Sequence, residues 1–508
     1  MTKQSCVTLN HLLDVLHLPS HKEGNKVISG LTLDSRKLNR GDLFVAVSGH
    51  NQSGAQFIGS AIDRGAAAVL FDEGIEYEGL AGRCSAVPVI SVKELKSQLG
   101  LLADRFYQHP SQQLKIFGVT GTNGKTSCSW FLSQLLTEVG YPCGVMGTLG
   151  TGMISDLHPA MNTTQDVLSN HYHLGQQKKN GAKAVAMEVS SHGLHQHRVD
   201  GIRFEAGLFT NISRDHLDYH GTMDNYARAK SLLFSECVPR IGIINRDDHY
   251  ASLMLDACRP DKTMPLTYSL SNKKADVYAE DIELHEHGIK ARICSPWGNG
   301  LLESDLLGRF SLENLMAVMT ALGSQGIDWQ DVLHRVQLLK NVPGRMQCLG
   351  GHGMPRVIVD YAHTPDALVS VLAALKDHGA GRLVCVFGCG GDRDTGKRPL
   401  MAQAALAGAD KVVVTSDNPR TEDPLQIIKD VTQDITDLSV MTIVDRSEAI
   451  AYAIDHAQAD DLILVAGKGH ENYQEVMNIR HHFDDAEQVL SALENWKGRV
   501  RKGQESAA

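Results

Sequence analysis

The chain has 508 residues, too many for a single hydrophobic core, so about three domains are expected. Its 42% hydrophobic and 21% charged content is that of an ordinary globular protein. With 49 basic against 59 acidic residues the net charge is −10, which excludes a nucleic-acid binder relying on general electrostatic attraction but leaves room for local pockets that take small anions.

The first residues, MTKQSCVTLNHLLDVLHLPS, hold no uninterrupted apolar core of the signal-peptide kind, and no stretch approaches a membrane span. The 10 cysteines are scattered without a CxxC pair. Reduced thiols in a cytoplasmic protein are therefore expected, with neither a zinc site nor a disulfide framework.

Residues 1–110 alternate short apolar runs with turns. Strands are predicted at Leu43–Val47 and Ala66–Leu70, with a helical pattern between them. Taken alone, Asp34-Ser35-Arg36 reads as a solvated turn. The polar stretch 107–114, with Pro110, reads as a linker.

Residues 111–342 are organised around GVTGTNGKTS (118–127). An apolar strand precedes it, and Trp130, Phe131, Leu132, Leu135 and Leu136 follow at helical spacing. Strand, glycine-rich turn, Lys-Thr and helix is the setting of a phosphate-binding loop: inward N–H groups and a helix N-terminus receive phosphate oxygens. Lys125 would reach the β/γ-phosphates and Thr126 would ligate Mg²⁺. Val119 stands where the common pattern has its first glycine. An ATP or GTP site follows.

Later strands in this part end in polar residues. AVAMEVSSHGL (184–194) delivers Glu188, Ser190, Ser191 and His192; AGLFTNISRDHLDYHG (206–221) delivers Asn211, Asp215, His216 and His220; IGIINRDD (241–248) delivers Asn245 and Asp247. In open α/β sheets, ligands bind beyond the carboxyl ends of strands, so one shared crevice is expected. Glu188 is a candidate for the Mg²⁺ shell. His216 reads as a second-ion or phosphate ligand and His220 as structural or without an assigned role, since the i,i+4 pair lacks the remaining ligands of a zinc site. Lys230, taken alone, reads as a helix-surface lysine.

Residues 343–508 repeat a β-loop-α pattern, with buried strands in 357–366, 383–394, 412–423 and 462–473. Right-handed crossovers would place their four loops on one edge, where they could face the phosphate loop across a cleft. The DNPR segment (417–420) is by itself a Pro-containing turn.

The motifs GTNGKT (121–126), NTT (162–164), MEVSSHGL (187–194), FTNISRDHLDYHG (209–221), PGRMQ (343–347), DYAHTPD (360–366), GCGGDRDTGKRP (388–399), DNPR (417–420) and GKGHE (467–471) together resemble a Mur ligase over nearly the whole chain. The resemblance implies an α/β chain of three domains: a small N-terminal UDP-binding domain, a central P-loop-type ATPase domain with a mostly parallel sheet, and a C-terminal Rossmann-like domain. It implies an ATP-dependent, ADP-producing ligase of peptidoglycan precursor synthesis. The combination is most similar to members that add meso-2,6-diaminopimelate to UDP-N-acetylmuramoyl-L-Ala-D-Glu through an acyl phosphate. The family's own phosphate loop also accounts for Val119.

Residue by residue, the resemblance implies that Leu33, Ser35, His50, Asn51 and Gln52 hold the uridine nucleotide, which reverses the solvated-turn reading of residues 34–36. Asn162, Thr163, Thr164, Ser190, Gln196 and Arg198 would bind the muramoyl peptide, with Gln165 standing where many relatives carry proline. Gly121, Thr122, Asn123, Gly124, Lys125, Thr126 and Ser127, with Asn314, Arg345 and Asp360, would bind ATP. Thr126, Glu188, His216 and Lys230 (as a carbamate, N6-carboxylysine) would form the magnesium shell, with Lys125, Lys230 and His216 catalytic. Arg393, Asp417, Asn418, Pro419, Arg420, Gly467 and Glu471 would bind diaminopimelate.

In that role DNPR discriminates. Lysine lacks the distal carboxylate that the Arg420 fork would clamp, and a site built for a polar group rejects such an analogue by roughly 10⁴-fold. An L-lysine-adding or folylpolyglutamate-forming sister and a P-loop switch protein are the alternatives. DNPR speaks against lysine, the uridine pattern against folate, and the polar strand ends of the last part against a switch. A monomer without nucleic-acid partner or membrane insertion is expected.

Overall fold

The apolar runs of the sequence become the strands of three largely parallel sheets. A computed structural model describes residues 7–48, 53–73, 87–351, 353–379, 381–435 and 440–505, with side chains as far as Trp496. They fall into two compact units, Met1–Asp276 with Thr320–Ile327, and Val277–Met319 with Asp328–Ala508.

In the first unit, β1 (Leu31–Thr32), β2 (Leu43–Ala46), β3 (Ala68–Asp72) and β4 (Val89–Val92) run parallel in that order. Successive side chains of β2 enter different cores, Leu43 and Val45 on one face, Phe44 and Ala46 on the other. β2 stops one residue before the predicted end, and β3 lies two residues later than predicted. Helix Leu95–Phe106 places Leu95, Leu99, Leu102 and Ala103 against the same cluster as Val167 and Leu168. The predicted linker is packed instead: Pro110, whose fixed φ suits a first helical position, opens a 3₁₀ turn with Ser111, both are buried, and Ser111 Oγ accepts from Arg203 N at 3.1 Å.

The central strands are β5 (Lys115–Thr120), β6 (Cys143–Gly147), β7 (Gly150–Met153), β8 (Asp156–His158), β9 (Ala184–Glu188), β10 (Ala206–Phe209), β11 (Ile241–Asn245) and β12 (Met264–Ser269). Their order is β12-β11-β10-β5-β9-β6-β7-β8, parallel except for the antiparallel β6-β7-β8 edge. β5 has β9 and β6 on one side and β10 to β12 on the other. The loop after it therefore lies where the winding reverses, the place at which open α/β sheets bind ligands.

In the second unit β13 (Val277–His285), β14 (Gly288–Ser295) and β15 (Gly298–Ser304) form an antiparallel meander that was not anticipated. Then come β16 (Gln347–Gly350), β17 (Arg356–Asp360), β18 (Leu383–Cys389), β19 (Lys411–Ser416), β20 (Val440–Thr442), β21 (Leu462–Ala466) and the hairpin β22 (Tyr473–Val476) and β23 (Ile479–His482). The sheet order is β16-β17-β21-β18-β19-β20, with only β16 antiparallel. The four predicted strands are its centre; β16 and β20 are additional edges. Ile358, Cys385, Phe387 and Leu464 face one core, while Val357, Val359, Val386 and Val465 face the other. Burial on both faces is why these strands read as unbroken apolar runs.

Candidate active site

Gly124 caps helix Lys125–Glu138 with φ 85°, turning the chain so that the first helical N–H groups point into the loop. Gly121 admits no side chain: a Cβ there would lie 1.9 Å from Thr210 Oγ1. The end of β10 clasps the loop from the other side, since Thr122 N donates to Asn211 O at 2.8 Å, Asn123 N to Asn211 Oδ1 at 3.0 Å, and Thr210 Oγ1 to Asn123 O at 2.6 Å. Lys125 Nζ donates to Gly121 O and Thr122 O at 2.9 and 2.8 Å. Ser127 is half-buried in the first turn of the helix.

Thr126, also buried, donates from Oγ1 to Glu188 Oε2 at 3.0 Å. Glu188 is only 2% exposed at the end of β9; its Oε1 accepts from Thr148 N at 2.8 Å and its Oε2 also from Thr148 Oγ1 at 3.2 Å. A threonine hydroxyl and a carboxylate are hard oxygen donors of the kind Mg²⁺ takes, and they fit that ion. Among the described residues no group of three or more His, Cys, Asp or Glu is set for a metal. His216, with φ 52°, is the half-exposed entry to the short helix Leu217–His220, its Nε2 3.4 Å from Asp215 Oδ2. His220 is buried with Nε2 3.0 Å from Ser191 Oγ, and burial pushes its pKa down to about 4, in line with a structural role.

Lys230 overturns its surface reading. Its side chain is 1% exposed, and Nζ donates to Gly121 O at 2.7 Å and lies 4.4 Å from the centre of the Tyr226 ring. Burial first, and then repulsion from Lys125, hold its pKa well below the ordinary lysine range. Tyr226 OH is in turn 3.1 Å from Thr122 Oγ1.

Five of the six residues expected at the muramoyl peptide, all but Asn162, form one network with Glu188. Thr164 Oγ1 donates to Glu188 O and accepts from Ser190 N, both at 2.9 Å. Ser190 Oγ caps helix Ser191–His195, and Thr163 Oγ1 lies 3.1 Å from Thr148 Oγ1. Arg198 donates to Thr164 O at 2.7 Å and twice to Gln196 Oε1, and Gln196 Nε2 donates to Tyr219 OH at 3.0 Å. Asn162 is exposed, and Gln165 O accepts from Asn170 Nδ2. Asn245 and Asp247 serve the loops instead, donating to Thr210 O and accepting from Ser269 Oγ and Leu270 N respectively.

Leu33 is half-buried and Ser35 buried after β1, whereas Arg36 is exposed and doubly bonded to Asp34, whose carboxyl its guanidinium holds below the usual range. The turn is thus solvated at Arg36 and closed at Ser35. His50, Asn51 and Gln52 lie outside the described residues.

In the second unit, Asp360 ends β17 buried, accepting from Met346 N and Ala362 N at 2.8 Å each, and burial raises its pKa. Arg345 precedes Met346 with its guanidinium 4.5 Å from the Tyr361 ring centre. Asn314 is buried in helix Arg309–Ser324. The loops after β18, β19 and β21 bring the DNPR group together. Asn418 Nδ2 donates to Glu471 Oε2 at 2.8 Å, Asp417 Oδ1 accepts from Asn418 N, and Arg420 Nη1 donates to Gly391 O at 2.7 Å. Pro419 is buried. Gly467, at φ 119°, is required because a Cβ would lie 2.6 Å from Asp417 Oδ2. Arg393 is exposed.

Sequence reasoning passed over Thr148, Tyr219, Tyr226 and Lys468. Thr148, at the polar end of β6, obeys the same strand-end rule that singled out Glu188. Lys468 lies between two glycines after the LILVA run, yet it is fully buried, with Nζ directed at Asn418 Oδ1 and Glu471 Oε2.

Family profiles match three segments: "Mur ligase family, catalytic domain" at residues 27–107, "Mur ligase middle domain" at 119–322 and "Mur ligase, glutamate ligase domain" at 344–469. A UDP-N-acetylmuramoyl-L-alanyl-D-glutamate–2,6-diaminopimelate ligase of Pseudomonas aeruginosa is 48% identical, over 94% of this chain and 97% of that protein. One of Coxiella burnetii is 44% identical, over 92% and 96% respectively. A solved structure of a ligase of the same name has a TM-score of 0.72 at 39% identity, covering 96% of this chain and 99% of that one. With profile matches in all three segments and relatives this similar along almost its whole length, the chain belongs to the Mur ligase family.

Proposed function

We propose that the protein is the ATP-dependent ligase that joins meso-2,6-diaminopimelate to the D-Glu γ-carboxylate of UDP-N-acetylmuramoyl-L-Ala-D-Glu, releasing ADP and phosphate, in peptidoglycan precursor synthesis. The observation that carries the reading is the presence in one chain of two chemistries: a phosphate loop beside buried Glu188 and Lys230, and a DNPR segment with Asn418 bonded to Glu471. The names of the relatives at 44–48% identity support it.

Lys125 and the loop N–H groups would stabilise charge as the γ-phosphoryl passes to the carboxylate, giving an acyl phosphate and ADP. A neutral amine of diaminopimelate would then attack the acyl carbon, and phosphate would leave. Thr126 and Glu188 would hold Mg²⁺, joined by His216 and by Lys230 as its carbamate; the ion supplies positive charge for the phosphate oxygens. Lys230 suits carbamylation because its depressed pKa favours the neutral amine, the form that adds CO₂ and releases a proton. Arg345, Asp360 and Asn314 would bind the rest of ATP. Arg420 would clamp the distal carboxylate of diaminopimelate, assisted by Asn418, with Arg393, Gly467 and Glu471 around the amino-acid head groups.

The same reading divides the chain at 1–110, 111–342 and 343–508, supported by profile matches that end at 107 and 322 and resume at 344. It also takes the protein to be a cytoplasmic monomer; no helix among the described residues is long and apolar enough to cross a membrane. The test is phosphate release from ATP in the presence of the UDP-muramoyl dipeptide, with diaminopimelate or lysine added separately. Release that needs diaminopimelate is expected. Equal stimulation by both amino acids would remove the DNPR argument, and no release with either would remove the ligase.

A further inference from the structure

The DNPR segment does not stand by itself: the hairpin formed by β22 and β23 bonds to Asp417, Asn418 and Arg420. Gln474 Nε2 donates to Asp417 O at 2.7 Å, and Glu475 N donates to Asn418 Oδ1 at 2.9 Å. Arg420 N donates to Glu475 O at 2.9 Å, and Met477 N donates back to Arg420 O at 2.6 Å, so that Arg420 pairs with Val476 as a single parallel rung. Arg420 has φ 53°, a left-handed conformation that a long side chain adopts only when its neighbours impose it. Both of its backbone polar groups are spent on the hairpin.

The hairpin is in turn tied down by one buried cation. Lys468 is 0% exposed, and its Nζ donates to Tyr473 O, at the start of β22, and to Asn418 Oδ1 at 3.2 Å, with Glu471 Oε2 at 3.4 Å. Asn418 Oδ1 therefore faces an ammonium and a backbone N–H, while its Nδ2 faces the Glu471 carboxylate. The opposite amide orientation would set donors against donors, so only one is compatible with these neighbours. Arg480 stacks 4.1 Å from the Tyr473 ring centre and lies 3.6 Å from Glu475, which holds the two strands together.

We propose that the hairpin Tyr473–His482, locked by Lys468, is a clamp that sets amino-acid selectivity by fixing Arg420 and Asn418, and that Lys468 is its positioning residue. The inference rests on the reading of DNPR as the diaminopimelate site. Lys468 is fully enclosed, so it acts through Asn418, Glu471 and the hairpin. Without the ammonium, Asn418 loses one of the three groups that fix its amide and β22 loses the bond at Tyr473 O, which frees Arg420 to leave its left-handed backbone.

The test compares Lys468→Met, Gln474→Ala, Arg420→Ala and the Lys468→Met/Arg420→Ala double variant in the phosphate-release assay with the full chain. Lys468→Met is expected to raise the KM for diaminopimelate about tenfold or more, with kcat and the KM for ATP within about threefold, because small misplacements of a binding group are costly. Preference for diaminopimelate over lysine should fall by a similar factor. The double variant should be no worse than Arg420→Ala alone, since both remove one coupled interaction. An unchanged KM for diaminopimelate in Lys468→Met, with a raised one in Arg420→Ala, overturns the clamp and leaves the site reading standing. An unchanged KM in both overturns the site reading and the clamp with it. A uniform loss across kcat and all substrates marks a merely structural lysine and also overturns the clamp. If Lys468→Met fails to fold, Gln474→Ala, on the half-buried strand, decides by the same outcomes with an expected rise of about threefold.

Discussion

Lys125 and Lys230 donate to the same acceptor, the carbonyl oxygen of Gly121, at 2.9 and 2.7 Å. Two lysine nitrogens on one oxygen, one of them buried, is an arrangement in which charging the second is costly. The folded-state pKa of Lys230 is depressed below that of the unfolded chain. Its contribution to stability is therefore complete only above the unfolded value and is lost as pH falls toward the folded one, so at neutral pH the lysine weakens the fold. Lys230→Met should raise stability in CO₂-free buffer by about 1–2 kcal/mol while abolishing phosphate release. Thermal unfolding reads the first and the assay the second; a lowered midpoint would mean that the lysine is already well satisfied. In Lys230→Ala, a small carboxylic acid should restore part of the activity, and unaltered activity would exclude a role for the carbamate.

Glu188 offers both carboxylate oxygens within a pocket closed by Thr148 and Thr126. Glu188→Gln keeps the shape but removes the charge and sets an amide against those donors. The expected result is a loss in kcat of about 10²–10³-fold, together with a higher Mg²⁺ concentration for half-maximal rate. Activity plotted against Mg²⁺ checks this. An unshifted magnesium curve would take Glu188 out of the ion's shell.

Arg420→Ala removes the proposed clamp on the distal carboxylate. Its kcat/KM for diaminopimelate should fall by about 10²–10³-fold, against less than about tenfold for lysine. ATP binding, measured by calorimetry, should be unchanged. A collapse of ATP affinity instead would refute the assignment of this loop.

These residues differ in how far the sequence exposed them. The phosphate loop, Glu188 and the polar strand ends were legible because apolar runs marked the strands and local order placed the chemistry at their ends. Lys230 was legible in position but not in kind. Tyr226, Ala227, Leu233 and Phe234 are buried on helix Met223–Ser235, and Lys230, four residues after Tyr226, lies on their stripe. The habit of lysine to be exposed outweighed the spacing. The meander β13 to β15 was missed although Val277–Glu280 alternates buried and half-buried residues, because two-residue periodicity is weak over so short a run. The clamp on DNPR is beyond sequence reading, since its partners lie 50 to 57 residues apart and meet only through strand order.

Arg446 and Asp485, 39 residues apart, also meet only in the fold, both 0% exposed and joined by two bonds of 2.7 Å. Arg446 also donates to Ser416 O and Ala466 O, the last residues of β19 and β21, directly before DNPR and GKGHE. Asp485→Ala would leave a buried guanidinium without its counter-charge and should cost about 3–5 kcal/mol. Denaturant unfolding checks this, and a cost below about 1 kcal/mol would show that the carbonyls suffice.

His171 supplies a prediction about pH. It is 0% exposed on helix Val167–Lys179, its Nε2 lies 2.9 Å from Asp200 O, and Asp104 Oδ1 is 3.9 Å from Nδ1. Burial lowers its pKa; the Asp200 carbonyl and the Asp104 charge oppose that only in part. The neutral tautomer that donates from Nε2 to Asp200 O is the one the fold accepts. Because the folded pKa lies below the unfolded one, the unfolded chain takes up a proton first as the pH drops below about 6.5. Stability should then fall, with a slope approaching about 1.4 kcal/mol per pH unit for this one proton. His171→Gln retains a donor for Asp200 O but does not titrate, so its unfolding midpoint in urea should fall less steeply than that of the parent between about pH 7 and pH 5. Parallel curves would place the acid sensitivity elsewhere.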